Sequence, residues 1–154
     1  MVEILQDFEP FFGYSKTNIP ETGAFHYLRK LGVIDIGSNS VRMVVFDGAA
    51  RSPAYFFNEK ILCGLGSGLA HSGKLHPEGR LRAIAAIERF VNMAQVMEVP
   101  QLTLIATAAV RSASDSLSFC NEIKRKTGKE INIIDGLEEA RLSAQGVMLG
   151  WPGA

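Results

Sequence analysis

From residue 32 onward, apolar and polar residues follow short, regular periods. Val33-Ile34-Asp35-Ile36 is a brief apolar run, closed by the turn formers Gly37-Ser38-Asn39-Ser40. Val41, Met43 and Val45 then alternate with Arg42, Val44 and Phe46, and Asp47-Gly48 punctuates. This predicts strand, tight turn, strand, turn. Pro53 through Leu62 makes a third strand, with Tyr55 and Phe57 alternating, until Gly64-Leu65-Gly66-Ser67-Gly68 breaks it. Pro77 suits the first position of a helix whose stripe is Leu81, Ile84, Ile87, Val91 and Ala94. Arg80, Arg82, Glu88 and Arg89 stand largely off that stripe, and Pro100 ends the element. Leu102 to Ala106 reads as a strand. Ser114 or Asp115 can cap a helix with Leu117, Cys120 and Ile123 on its apolar side, and Gly128 stops it. Ile131 to Ile134 is a last strand. Asp135-Gly136-Leu137-Glu138 has capping-box spacing and opens a final helix to about Met148, with Leu137, Ala140, Ala144 and Val147 on one side.

The resulting order is βββαβαβα. Three leading strands form an antiparallel meander, and the later strands, joined by helices, pair in parallel through right-handed crossovers. The expected class is therefore α/β, a mixed five-stranded sheet with helices on its faces. That order is also the repeating half of the actin-like ATPase (ribonuclease H-like) architecture. Residues 1–31 read differently. Phe8, Phe11, Phe12, Tyr14, Phe25 and Tyr27 alternate with Pro10, Gly13, Pro20 and Gly23, and no period survives. They are expected to form a loosely ordered leader, with an aromatic docking segment as the alternative.

Composition narrows the class further. The 154 residues are 47% apolar and 21% charged, with 16 basic residues balancing 16 acidic ones. Such a chain folds around a core rather than staying disordered. Zero net charge argues against bulk attraction to DNA or to a membrane, but leaves room for a local anion site. No apolar run is long enough to span a bilayer. Cys63 and Cys120 stand singly, which suits free thiols better than a disulfide framework or a zinc site. The chain begins Met1-Val2-Glu3 without a basic leading region, so the expected location is the cytoplasm. His26, His71 and His76 have no ligand spacing.

Three clusters carry candidate chemistry. In Asp35-Ile36-Gly37-Ser38-Asn39-Ser40, Gly37 permits a sharp bend, and successive N–H groups and hydroxyls can form a concavity suited to phosphate. Asp35 beside it can hold magnesium or its water shell. The same residues also suit an ordinary hairpin turn. Thr107 to Ser112 follows the fourth strand, where ligands of open α/β sheets sit, and Arg111 there can clamp phosphate oxygens or simply flank a helix on the surface. Glu138-Glu139-Ala140-Arg141 opens the last helix. Glu138 fits the capping role, while Glu139 is free to act as a base toward water, with Arg141 orienting it or pairing with phosphate. Both glutamates also suit a helix N-terminus on electrostatic grounds alone. Lys124-Arg125-Lys126 with Lys129 complements a helix C-terminus, or else offers a landing site for a polyanion. The Gly64–Gly68 stretch lacks the Lys-Ser/Thr of a P-loop and is weak as a nucleotide signature.

Together, in this order and on this element pattern, the clusters resemble the exopolyphosphatase / guanosine pentaphosphate phosphohydrolase (Ppx/GppA) family of the actin-like ATPase superfamily. The likeness rests on Asp35-Ile-Gly-Ser-Asn-Ser-Val-Arg42, Glu59-Lys60, the Gly64–Gly68 loop, Thr107–Arg111 and Ile134–Arg141, and covers about residues 32–150. The resemblance implies a role for each position: Asp35 organises Mg2+; Gly37, Ser38, Asn39 and Ser40 form the first phosphate loop; Arg111 contacts phosphate; and Glu139 is the catalytic base. It implies release of terminal orthophosphate from inorganic polyphosphate or guanosine pentaphosphate, with neither DNA nor membrane as partner, and a homodimer for the full-length form. In the family, a second lobe opens with an Asp-x-Gly-Gly-Gly-Ser loop that is absent here. Residues 32–150 are thus expected to be an N-terminal lobe that hydrolyses poorly or not at all by itself. The competing readings are a non-catalytic actin-like module that binds nucleotide or a partner, and a truncated product whose uncovered face self-associates.

Overall fold

Alternating β-branched and polar residues build the sheet on which everything else is placed. The computed structural model describes residues 30–46 and 55–150. β1 (Leu31–Ile36), β2 (Ser40–Phe46) and β3 (Tyr55–Leu62) form an antiparallel meander, in register Ile34↔Met43 and Met43↔Glu59. β4 (Gln101–Ala106) and β5 (Ile131–Ile133) add parallel strands, in the order β3-β2-β1-β4-β5. The period of two sends Ile34, Ile36, Val41, Met43, Val45, Leu104 and Ala106 to one buried face. The expected mixed five-stranded sheet is present, and its first strand opens at Leu31, two residues before the start of the expected Val33–Ile36 run.

Among the described residues five helices accompany it: α1 (Leu69–Ser72), α2 (Pro77–Val96), α3 (Ala108–Ser112), α4 (Ser116–Thr127) and α5 (Gly136–Gly150). α2 and α4 cover the buried face of the sheet, where Ile84, Ile87, Phe90 and Val91 of α2 join Phe119 and Ile123 of α4 in one core. Pro77 follows His76, whose ring accepts a hydrogen bond from the Gly79 N–H at 3.2 Å. Gly128, at φ 70°, ends α4, its N–H bonding the Lys124 carbonyl.

Several expectations shift. α1 and α3 are single turns, too short to leave a period in the sequence. Leu81 and Leu117 are 67% and 72% exposed, not buried. Phe119 and Ile123, one helical turn apart, supply the contact of α4 with the core, and Leu117 lies two residues before Phe119 on the opposite side. The Asp115 side chain does not cap α4. Its carboxylate accepts the Leu75 N–H at 3.0 Å and pairs with Arg80 at 3.3 Å, tying the loop before α2 to α4. In α5, Leu137 and Val147 are 82% and 67% exposed, so the expected apolar side faces outward. The leader up to residue 29 and the Asp47-Gly48 turn lie outside the described residues. Lys30 is held by the Met97 carbonyl at 3.0 Å and stands over the Phe56 ring.

The start of α2 touches the loop after β3 so closely that a Cβ on Gly79 would sit 2.6 Å from the Gly64 carbonyl oxygen. Gly79→Ala must push helix and loop apart. It is expected to cost about 1–3 kcal/mol, read from the midpoint of urea unfolding; an unchanged midpoint would contradict this packing.

Candidate active site

Parallel strands deliver their carboxyl ends to one edge, and the candidate residues collect there. β1 ends at Ile36, β4 at Ala106 and β5 at Ile133. Backbone bonds lash the three ends together: Thr107 N–H donates to the Ile36 carbonyl at 3.3 Å, and Ile134 N–H to the Ala106 carbonyl at 3.1 Å.

The first loop is a tight bend closed by the Gly37 N–H on the Ser40 carbonyl at 2.9 Å. Its next two carbonyls are already engaged. The Ser38 oxygen accepts the Gly66 N–H at 2.7 Å, and the Asn39 oxygen accepts the Cys63 and Gly64 N–H groups at 2.8 and 2.9 Å. A trans peptide places its N–H opposite its C=O. The Asn39 and Ser40 N–H groups therefore point away from the 63–66 segment. Gly66 must lack a side chain for this, because a Cβ there would lie 3.1 Å from the Ser38 Cβ and 3.3 Å from that of Ala109. The glycine-rich stretch is a brace for the first loop. Its glycines at 64, with φ 65°, and at 66 are the sequence signal of so close a backbone approach.

Arg111 and Glu139 meet across the other two strand ends. Arg111, on α3, donates from Nη1 to the Ile134 carbonyl at 2.7 Å and to Glu139 Oε2 at 3.2 Å. Glu139 sits in the first turn of α5, its N–H on the Asp135 carbonyl at 3.0 Å. Asp135 caps that helix, accepting the Glu138 N–H at 2.8 Å. The return half of the capping box is replaced. The Glu138 carboxylate takes two hydrogen bonds from Arg141, both at 2.8 Å, which hold its pKa below the ordinary value. Arg141 is thus turned toward Glu138, and the arginine that orients Glu139 is Arg111. Glu138, three residues before Arg141, shares a helix face with it, whereas Glu139, two residues before it, does not.

Asp35 stands on the same side of the sheet, opposite Arg42 of β2, which in turn faces Lys60 of β3. Its carboxyl reaches solvent, yet the surrounding protein removes enough hydration to raise its pKa above the ordinary 3.8. Arg42 opposes that rise, the charge of Glu139 adds to it, and Lys60 opposes it more weakly. Asp35 and Glu139 therefore feel one another across the strand ends. Glu59, beside Lys60, is gripped instead by Arg89 of α2, with Nη2 to Oε2 at 3.0 Å. Of the basic run, Lys124 pairs with Glu130 and Lys126 with Glu88. Among the described residues no group of three or more His, Cys, Asp or Glu could hold a metal. Both cysteines are free, Cys63 buried and Cys120 half-buried, and burial pushes both thiols up. No helix among the described residues is long and apolar enough to cross a membrane.

Known proteins resemble this chain in sequence and fold. The family model for the Ppx/GppA phosphatase family matches residues 32–153. The chain belongs to that family. It is 31% identical over 125 residues to exopolyphosphatase 1 of Mycobacterium tuberculosis, covering 79% of this chain and 36% of that protein. Among solved structures, an exopolyphosphatase from Cytophaga hutchinsonii matches with TM-score 0.69 and 31% identity, over 74% of this chain and 36% of the other. The Aquifex aeolicus member of the Ppx/GppA family has the same fold, with TM-score 0.71 at 23% identity, over 79% and 40%. The chain spans about a third of the length of the curated relatives it matches.

The raised Asp35 pKa has a consequence for stability. The folded chain keeps this proton at pH values where the unfolded chain has lost it, so stability falls as pH rises from 3.8 through the folded-state pKa. Asp35→Asn is expected to be more stable than the parent at pH 7, with the difference vanishing below about pH 3.8. Thermal melts of both proteins across pH check this, and a less stable variant at pH 7 would contradict it.

Proposed function

We propose that residues 32–150 are the N-terminal lobe of a phosphoanhydride hydrolase that removes terminal orthophosphate from inorganic polyphosphate or guanosine pentaphosphate. The observation that carries this reading is the placement of Glu139, held by Arg111, at the same sheet edge as the outward-facing N–H groups of the 37–40 loop. An anion in that loop meets donors and no free carbonyl of Ser38 or Asn39. The side chains of Ser38, Asn39 and Ser40 add donors to it. Membership of the Ppx/GppA phosphatase family supports the reaction class, and the relatives named exopolyphosphatase favour polyphosphate.

Glu139 is the base in this reading. A carboxylate there takes a proton from water attacking the terminal phosphorus in line with the anhydride oxygen. Arg111 orients the carboxylate through Nη1 and keeps its remaining donors for phosphate oxygens. The residues suit Mg2+: Asp35 and Glu139 are hard oxygen donors whose mutual repulsion a cation relieves. A single carboxylate leaves most of an octahedral shell to water and phosphate, so Asp35 would hold the ion beside the loop while Glu139 stays free as the base. There the ion would neutralise charge on the phosphate oxygens. A second lobe forms the opposing wall of the cleft, and positioning suffers without it. The same reading puts the protein in the cytoplasm, where unpaired Cys63 and Cys120 stay reduced.

Phosphate release from polyphosphate tests this. In a chain extended by a second lobe, Glu139→Gln is expected to lower turnover by about 10²–10⁴-fold while polyphosphate binding is retained. The 154-residue chain alone is expected to turn over at least about a hundredfold more slowly than the two-lobed form. Unchanged turnover in Glu139→Gln removes Glu139 from the base role.

A further inference from the structure

The 63–66 segment that captures the loop carbonyls is itself gripped from behind. The Cys63 carbonyl accepts two hydrogen bonds from one guanidinium, Arg82 Nε at 3.0 Å and Nη2 at 2.8 Å. The N–H of the same Cys63 donates to the Asn39 carbonyl at 2.8 Å. One residue thus links α2 to the loop proposed to bind phosphate. The remaining terminal nitrogen of Arg82, Nη1, lies 3.4 Å from Glu78 Oε2 in an exposed i,i+4 pair. Gly79, one turn earlier, lets the helix approach Gly64 closely enough for this reach.

A planar guanidinium that donates twice to one oxygen sets both the position and the tilt of that peptide. A lysine ammonium in its place has no such fork. When the grip is lost, the 63–66 segment can rock, and the Ser38 and Asn39 carbonyls are released toward the space an anion would occupy. The Asn39 and Ser40 N–H groups lose their aim at the same time. We infer that Arg82 is a positioning residue for the phosphate loop, acting through the Cys63 carbonyl and the N–H groups of Cys63, Gly64 and Gly66. This rests on the proposed reading of the 37–40 loop as a phosphate site. Arg82 is half-exposed on the surface of α2 and contributes no side chain to the core, so its replacement leaves the packing in place.

The test uses the 154-residue chain, inorganic tripolyphosphate as probe, and amide NMR as readout. In the parent, the Asn39 and Ser40 amides are expected to shift saturably with tripolyphosphate. In ligand-free Arg82→Met, the amides of Asn39, Ser40, Cys63, Gly64 and Gly66 are expected to move while those of β4 and α4 stay. Its tripolyphosphate affinity is expected to fall about tenfold. Arg82→Lys, which keeps the charge but loses the fork, is expected to recover only part of that loss, and Glu78→Gln to bind like the parent. Equal affinity in Arg82→Met, or full recovery in Arg82→Lys, overturns the positioning role while the phosphate reading stands. Amide shifts spread over the whole chain, or a variant that does not fold, make Arg82 a general structural residue and overturn it as well. An absence of any shift at Asn39 and Ser40 in the parent overturns the phosphate reading itself, and the inference with it.

Discussion

The capture of two carbonyl oxygens decides which ends of its peptide dipoles the 37–40 loop presents. A bare turn offers both ends of its peptide dipoles, and phosphate approaching the 37–40 loop would meet lone pairs as well as N–H groups. The N–H groups of Cys63, Gly64 and Gly66 take up the Ser38 and Asn39 oxygens, so the opposite side of the loop is donor-rich. Much of the local architecture serves that arrangement. The register of β3 brings the 63–66 segment alongside the loop, Gly66 leaves room for Ser38, and Gly79 lets α2 come up behind Gly64.

Charge is arranged as locally as the hydrogen bonds. The chain as a whole is neutral, so no long-range field draws a polyanion to it. At the strand ends, however, Asp35 lies beside Arg42 and Lys60, and Glu139 beside Arg111. Each carboxylate has its own cation, while desolvation raises the Asp35 pKa and the charge of Glu139 adds to the rise. Ionising Asp35 in this partly desolvated position costs folding stability. The scaffold beneath is apolar and closely packed, with Ile36 and Ala106 fully buried next to the residues that carry charge.

Much of the fold is legible in the sequence because its signals are local. Alternation at 41–46, Pro77 at a helix start and Gly128 at a helix end each fix one element by backbone preference. Helix facing is less legible. Leu81 and Leu117 match a helical stripe as well as any residue, yet tertiary packing selects Ala83 and Phe119. Asp115 and Arg141 read as a cap and a site arginine, but their partners are Arg80 and Glu138, chosen by distances that spacing alone does not encode. The candidate site is visible as three clusters because turn chemistry and strand ends leave marks in sequence. The brace is not visible: Arg82 and Cys63 are 19 residues apart, and a carbonyl acceptor has no residue identity to read. The glycines at 64 and 66 announce a close approach without naming the loop they approach.

The most direct measurement is the position of tripolyphosphate in a crystal of this chain. The account predicts a phosphate against the Asn39 and Ser40 N–H groups, with the Glu139 carboxylate facing its terminal phosphorus and Arg111 on its oxygens. Tripolyphosphate bound instead along Lys124–Lys129, with the 37–40 loop holding only water, would contradict it.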